Sequence, residues 1–122
     1  ENLKIDNFSV MPGSELKLLK GLELGCDGII TATCNVTAGL SRQVYDDFIE
    51  KKIQTKNEML CNVRNTFEKF NLISGLHSFM SDEDKIYKNV LPPVSILNVK
   101  DKLLLTEELN KLKFTLGSLK AA

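Results

Sequence analysis

Apolar and polar positions change period along the chain, and each change marks an element. From Asn7 to Met11 the pattern alternates weakly, with Phe8 and Val10 on one side, and it ends at Pro12-Gly13. That predicts a short strand running into a loop. Ser14 then suits a helix N-cap, Leu16, Leu19 and Leu22–Leu24 supply a short helical stripe, and Gly25 stands where a left-handed C-terminal residue belongs. Gly28 to Cys34 is almost continuous in small or apolar residues, the pattern of a strand covered on both faces. Strand, helix and strand within about 30 residues predict a βαβ unit with a right-handed crossover.

Beyond Asn35 the period becomes helical. Leu40, Val44 and Phe48, widened by Tyr45 and Ile49, predict an amphipathic helix from Thr37 to Lys51. Thr55 and Glu58 form a capping-box pattern ahead of a second helix, whose apolar face is Met59, Leu60, Val63, Phe67 and Phe70. The two helices are expected to pair as a hairpin. Ser74 to Met80 predicts another short helix, and Ser81-Asp82-Glu83-Asp84 a charged turn or helix start. Leu91-Pro92-Pro93 predicts an extended strap, because proline biases its predecessor away from the helical region. Asn98 with Asp101 opens a last helix expected to face Val99, Leu103, Leu105, Leu109 and Leu112 inward, and Gly117 to Ala122 is a tail without pattern.

Two parallel strands do not make a stable sheet, since each leaves donors and acceptors unpaired on its outer side. Further strands must come from outside these residues. A TIM barrel supplies such a frame, so the predicted fold is α/β: the last two βα units of a (β/α)8 TIM barrel, about Phe8–Leu24 and Gly28–Lys51, followed by a C-terminal helical extension. Residues 1–52 are then the barrel part, 53–116 the helical extension and 117–122 the tail. Ligands of such barrels sit at the C-terminal ends of the strands, here Pro12-Gly13-Ser14-Glu15 and Thr31 to Asn35.

Composition narrows the partners. Sixteen basic side chains balance sixteen acidic ones, so neither nucleic acid nor an anionic membrane surface is an expected partner. The longest apolar runs fall far short of the roughly 20 residues of a membrane helix and no signal segment opens the chain, which predicts a cytoplasmic protein. The chain opens on Glu1 rather than methionine, so further upstream sequence is expected. Cys26, Cys34 and Cys61 lack metal-type spacing and have only His77 to join them, which predicts structural free thiols and no metal site. Asn7-Phe8-Ser9 and Asn35-Val36-Thr37 match the glycosylation pattern, yet both lie in or beside predicted strands and are discounted. His77 reads as a helix-packing residue.

Met11-Pro12-Gly13-Ser14-Glu15, a helix, and then Gly25-Cys26-Asp27-Gly28-Ile29-Ile30-Thr31-Ala32-Thr33-Cys34-Asn35-Val36 resemble the seventh and eighth strands of the dihydrodipicolinate synthase / N-acetylneuraminate lyase family. Gly75-Leu76-His77 and Leu91-Pro92-Pro93 extend the resemblance over almost the whole chain. The resemblance implies a class I aldolase or synthase, a carbon–carbon or hydro-lyase without cofactor. In such enzymes pyruvate or another 2-oxo acid forms a Schiff base with a lysine and reacts with an aldehyde partner. The family's lysine and its relay tyrosine belong to earlier strands, so this fragment alone is expected to be inactive and to hold no catalytic residue. By the same resemblance Gly13, Ser14 and Glu15 line the distal end of the substrate site, with Glu15 accepting substrate hydroxyl protons. The backbone carbonyl of Ile30 lies by the Schiff base. Gly13-Ser14-Glu15 stands where the lysine-pathway synthases commonly show Gly-Asp-Asp, and Gly75-Leu76 is nearer to the sugar-acid lyases. Full-length relatives assemble as tetramers, so a homo-oligomer is implied. The alternatives are a noncatalytic half-barrel assembly or regulatory module, and a helical interaction protein.

Overall fold

The structure, a computed structural model, describes residues 6–116. Residues 8–12 and 26–31 are extended and lie side by side in parallel. The carbonyls of Val10 and Pro12 accept the N–H groups of Asp27 (3.0 Å) and Ile30 (3.2 Å). A strand residue in a parallel ladder turns its N–H to the same neighbour as its C=O. Val10 spends that N–H on the Asp27 carboxylate at 3.1 Å, and Pro12 has none to give. Two one-way bonds result instead of a ladder, which corrects the expected strands: no regular β-strand forms among the described residues.

The second segment also ends earlier than its composition predicts. The Thr31 hydroxyl accepts the Cys34 N–H (3.1 Å) and the Thr33 carbonyl accepts those of Val36 and Thr37, so a helix begins at Cys34 rather than Thr37. The α-helices are α1 Leu18–Glu23, α2 Cys34–Ile49, α3 Asn57–Glu68, α4 Leu72–Met80 and α5 Val99–Lys111, with 3₁₀ turns at Glu15–Lys17 and Lys85–Lys88. Ser14 caps the first of these turns by accepting the Leu16 N–H (3.3 Å).

Helices α1, α2 and α3 pack in sequence, and α3 then packs on both α4 and α5, which touch each other. The buried residues form two clusters. Leu18, Leu22, Val44 and Leu60 join α1, α2 and α3, while Val36, Val63, Phe67, Leu76, Leu105, Leu109 and Phe114 join α2 to the remaining helices. Phe114, beyond the last helix, stacks on Phe79 with ring centroids 5.9 Å apart.

Several helix ends share one solution. After α1 the Cys26 N–H reaches the Gly21 carbonyl (2.8 Å) and the Gly25 N–H that of Leu22 (3.0 Å), with Gly25 at φ +93°, a Schellman end at the expected glycine. Helices α2 and α5 end the same way on lysines, Lys51 at φ 56° and Lys113 at φ 55°.

Three local expectations change. Helix α3 starts at Asn57 with no side-chain cap, so Thr55 and Glu58 form no capping box. The approach to α3 is pinned instead by the Gln54 amide, which donates to the Val44 carbonyl (3.1 Å). Leu91-Pro92-Pro93-Val94 is a turn closed by the Val94 N–H on the Leu91 carbonyl (3.1 Å), because prolines at the two central positions need no N–H of their own. In α5, Asn98 caps the Asp101 N–H as expected (2.8 Å), and Leu105 and Leu109 are buried. Val99 and Leu103 are exposed, since Leu103 lies about 200° around the helix from Leu105. Helix α4 begins two residues before Ser74 because the Asn71 side chain caps the Ser74 N–H (3.0 Å). The tail 117–122 lies outside the described residues.

Candidate functional site

The C-terminal ends of the two extended segments come together as one rim. Gly13 and Ile30 face each other across it: a Cβ on Gly13 would stand 3.8 Å from the Ile30 carbonyl oxygen. Ile30 is 72% exposed, and its N–H is held by Pro12. The Ser14 hydroxyl is occupied in capping.

Glu15 turns the other way. Its side chain is 0% exposed, and Oε1 accepts the hydroxyls of Thr31 (2.6 Å), Thr33 and Thr37 (3.0 Å). Oε2 accepts Nη1 of Arg64 on α3 at 3.1 Å. The same Nη1 donates to the Thr33 hydroxyl (3.0 Å), and Arg64 Nε donates to Glu68 (2.7 Å). A carboxylate offers about four acceptor sites, and this one meets four donors. Burial pushes its carboxyl up, but the hydroxyls of Thr31 and Thr33, its own backbone N–H and Thr37 together pull harder, so it titrates below its ordinary 4.5. Three of these donors gather on Oε1 and one on Oε2, and the whole side chain is buried, so Glu15 is turned into the fold rather than toward the rim surface.

The sequence places Gly13, Ser14, Glu15 and Ile30, with the run Thr31 to Asn35, at one end of the fold, and does not reveal that Thr37 and Arg64 join Glu15, Thr31 and Thr33 in one network. One signal was available. Arg64 interrupts the apolar face of Leu60, Val63 and Phe67, and a guanidinium there needs a buried anion.

Beside the rim, a cleft of about 300 Å³ opens between the start of α2 and α4, lined by Ala32, Asn35, Ile73, Leu76, His77 and Tyr87. His77 Nδ1 donates to the Tyr87 carbonyl at 2.8 Å, tying α4 to the second 3₁₀ turn. The three cysteines are free and half-buried. Burial first, and the Glu15 charge second, push the Cys61 thiol up, which disfavours a nucleophilic thiolate there. Among the described residues no cluster of His, Cys, Asp and Glu could hold a metal ion, and no helix is long and apolar enough to cross a membrane.

The helical assembly thus carries a parallel extended pair, with a cluster of polar side chains gathered where both segments end. The chain belongs to the Dihydrodipicolinate synthetase family, whose sequence pattern matches residues 2–112. Among solved structures it is similar to YagE, a prophage protein of the dihydrodipicolinic acid synthase family from E. coli K12, in complex with pyruvate. The TM-score is 0.67 at 21% identity, over 88% of this chain and 38% of that one. The likeness shows the fold, and the chain spans 38% of that structure's length. No curated protein sequence matches this one.

Proposed function

We propose that this chain is the C-terminal portion of a Schiff-base aldolase or synthase, a carbon–carbon or hydro-lyase acting on pyruvate or another 2-oxo acid with an aldehyde partner. The observation that carries the reading is the family match over residues 2–112. The pyruvate bound to YagE supports the substrate class. In this reading Phe8–Leu24 and Gly28–Lys51 are the last two βα units of a barrel, 1–52 its C-terminal part and 53–116 a helical extension. On the same reading, strands of the remaining barrel lie along the outer edges of the extended pair, whose own contact keeps its two one-way bonds.

A 2-oxo acid condenses with a lysine amine, water leaves, and the resulting iminium withdraws electrons from the adjacent carbon so that a carbon–carbon bond can form or break. In this reading the amine comes from an earlier strand outside this chain, as in the family the chain belongs to; Lys17 and Lys20 face solvent, Lys20 paired to Glu23 at 3.0 Å. This chain contributes wall. The Ile30 carbonyl faces the condensing carbon, Gly13 keeps the opposite side low, and Ser14 and Glu15 hold the loop between them. The intact protein is a cytoplasmic homo-oligomer in this reading.

Borohydride reduction in the presence of pyruvate, followed by peptide mass mapping of the intact protein, tests it. The expected result is one pyruvate adduct on a lysine outside residues 1–122. No adduct on the intact protein, or an adduct on any lysine within these residues, overturns the reading.

A further inference from the structure

Arg64 sits on the helical extension, far in sequence from the rim, yet its side chain is only 10% exposed and its guanidinium reaches both rim loops. One nitrogen, Nη1, donates to Glu15 (3.1 Å), two residues after Gly13, and to Thr33 (3.0 Å), three residues after Ile30. Nε is held by Glu68 one turn along α3 (2.7 Å), so the guanidinium plane is fixed from behind. Between the two extended segments themselves the backbone supplies only two one-way hydrogen bonds. The rim therefore takes its spacing from the Glu15 cluster with Thr31, Thr33 and Thr37, which Arg64 braces from the helical side, as much as from its own backbone.

We infer that Arg64 is a positioning residue for the 2-oxo acid site, setting the separation of Gly13 from Ile30 through Glu15 and Thr33 without touching substrate. The inference rests on the proposed function for what the rim does, and on the geometry alone for what Arg64 does. Stability by itself does not account for such a group, since a buried ion pair often gains nothing over apolar residues of the same volume. A fork is required for the task. Lysine offers a single point of charge and cannot meet Glu15, Thr33 and Glu68 together, so Arg64→Lys should keep charge while losing part of the geometry. The Thr31 hydroxyl extends the chain of contacts, since it donates to Glu15 and accepts the Cys34 N–H (3.1 Å), where α2 starts.

The test uses the intact protein with pyruvate as the probe. Borohydride-trapped adduct is measured against pyruvate concentration for wild type, Arg64→Met, Arg64→Lys and the core control Leu109→Ala, with amide hydrogen exchange followed at Ile30 and Cys34. Arg64→Met should raise the half-saturating pyruvate concentration about tenfold, the equivalent of roughly one well-placed hydrogen bond, with the extent of trapping at saturation kept. Exchange at Ile30 and Cys34 should quicken in that variant, Arg64→Lys should recover part of both changes, and Leu109→Ala, destabilised elsewhere, should show neither below its unfolding temperature. Unchanged half-saturation with unchanged local exchange in Arg64→Met overturns the inference, as does the same pair of changes in Leu109→Ala. If wild type traps no pyruvate the proposed function fails, and the exchange measurements still decide the role of Arg64. Should Arg64→Met not fold, Arg64→Lys decides: quickened exchange confined to Ile30 and Cys34 supports the inference, and wild-type exchange there overturns it.

Discussion

Replacing Glu15 by glutamine changes one oxygen and no shape, which makes it the most informative perturbation of the buried network. The carboxylate is fully buried and accepts from Thr31, Thr33, Thr37 and Arg64. An amide can present its oxygen to the threonines or to the guanidinium, but whichever it chooses, its NH₂ faces groups that were donating. Breaking a buried pair by removing one partner costs about 3–5 kcal/mol, and because the amide oxygen keeps some of the threonine bonds, about 3 kcal/mol is expected here. With a urea slope of about 1–3 kcal/mol per molar, the unfolding midpoint should fall by about 1–3 M with the slope unchanged. The sign of the pH dependence follows from the lowered carboxyl. Its stabilisation is complete above its ordinary value of 4.5 and is lost as pH falls through the lower folded value, so the gap between wild type and Glu15→Gln should narrow in acid. A variant within about 0.5 kcal/mol of wild type at neutral pH, the range of an ordinary surface change, would refute the reasoning. So would a gap that acid leaves untouched.

The remaining predictions concern packing and helix ends. Phe67, fully buried between α3, α4 and α5 and edge-on to Phe79 at 5.7 Å, should cost about 3–5 kcal/mol when cut to alanine, read as a fall in unfolding midpoint. Lys51 holds φ at 56° after α2, a conformation that costs an L-residue about 1–2 kcal/mol; after the unfolded-state entropy of glycine is subtracted, Lys51→Gly should stabilise by about 0.5–1 kcal/mol in denaturant titration. Asn98→Ala, which removes the cap on the Asp101 N–H, should cost about 1 kcal/mol and raise amide exchange in the first turn of α5.

Helix positions were legible because their causes are local. Leu60, Val63 and Phe67 share a face at helical spacing, Asn98 caps three residues ahead, and Gly25 stops α1 at a left-handed turn, all within reach of a few residues. The strands were misjudged for an equally physical reason. An apolar run such as Gly28 to Thr31 states a preference for burial, but a ladder needs donors on the facing edge, and Pro12 and the Asp27 carboxylate remove them. Thr33 and Cys34 then follow the stronger local option of a helix start. The rim residues are proposed from their family pattern, whereas Arg64 is hidden by distance: 49 residues separate it from Glu15, and no periodicity connects a carboxylate in a loop to a guanidinium on a helix. Only its presence on an otherwise apolar face announced that a buried partner existed.

The measurement that reaches the central claim most directly is exchange of pyruvate's methyl protons with heavy water, followed by proton NMR, since an iminium makes those protons labile without any aldehyde. The account predicts exchange well above the buffer rate with the intact protein and none above it with residues 1–122 alone. Exchange driven by the isolated chain, or none with the intact protein, would contradict it.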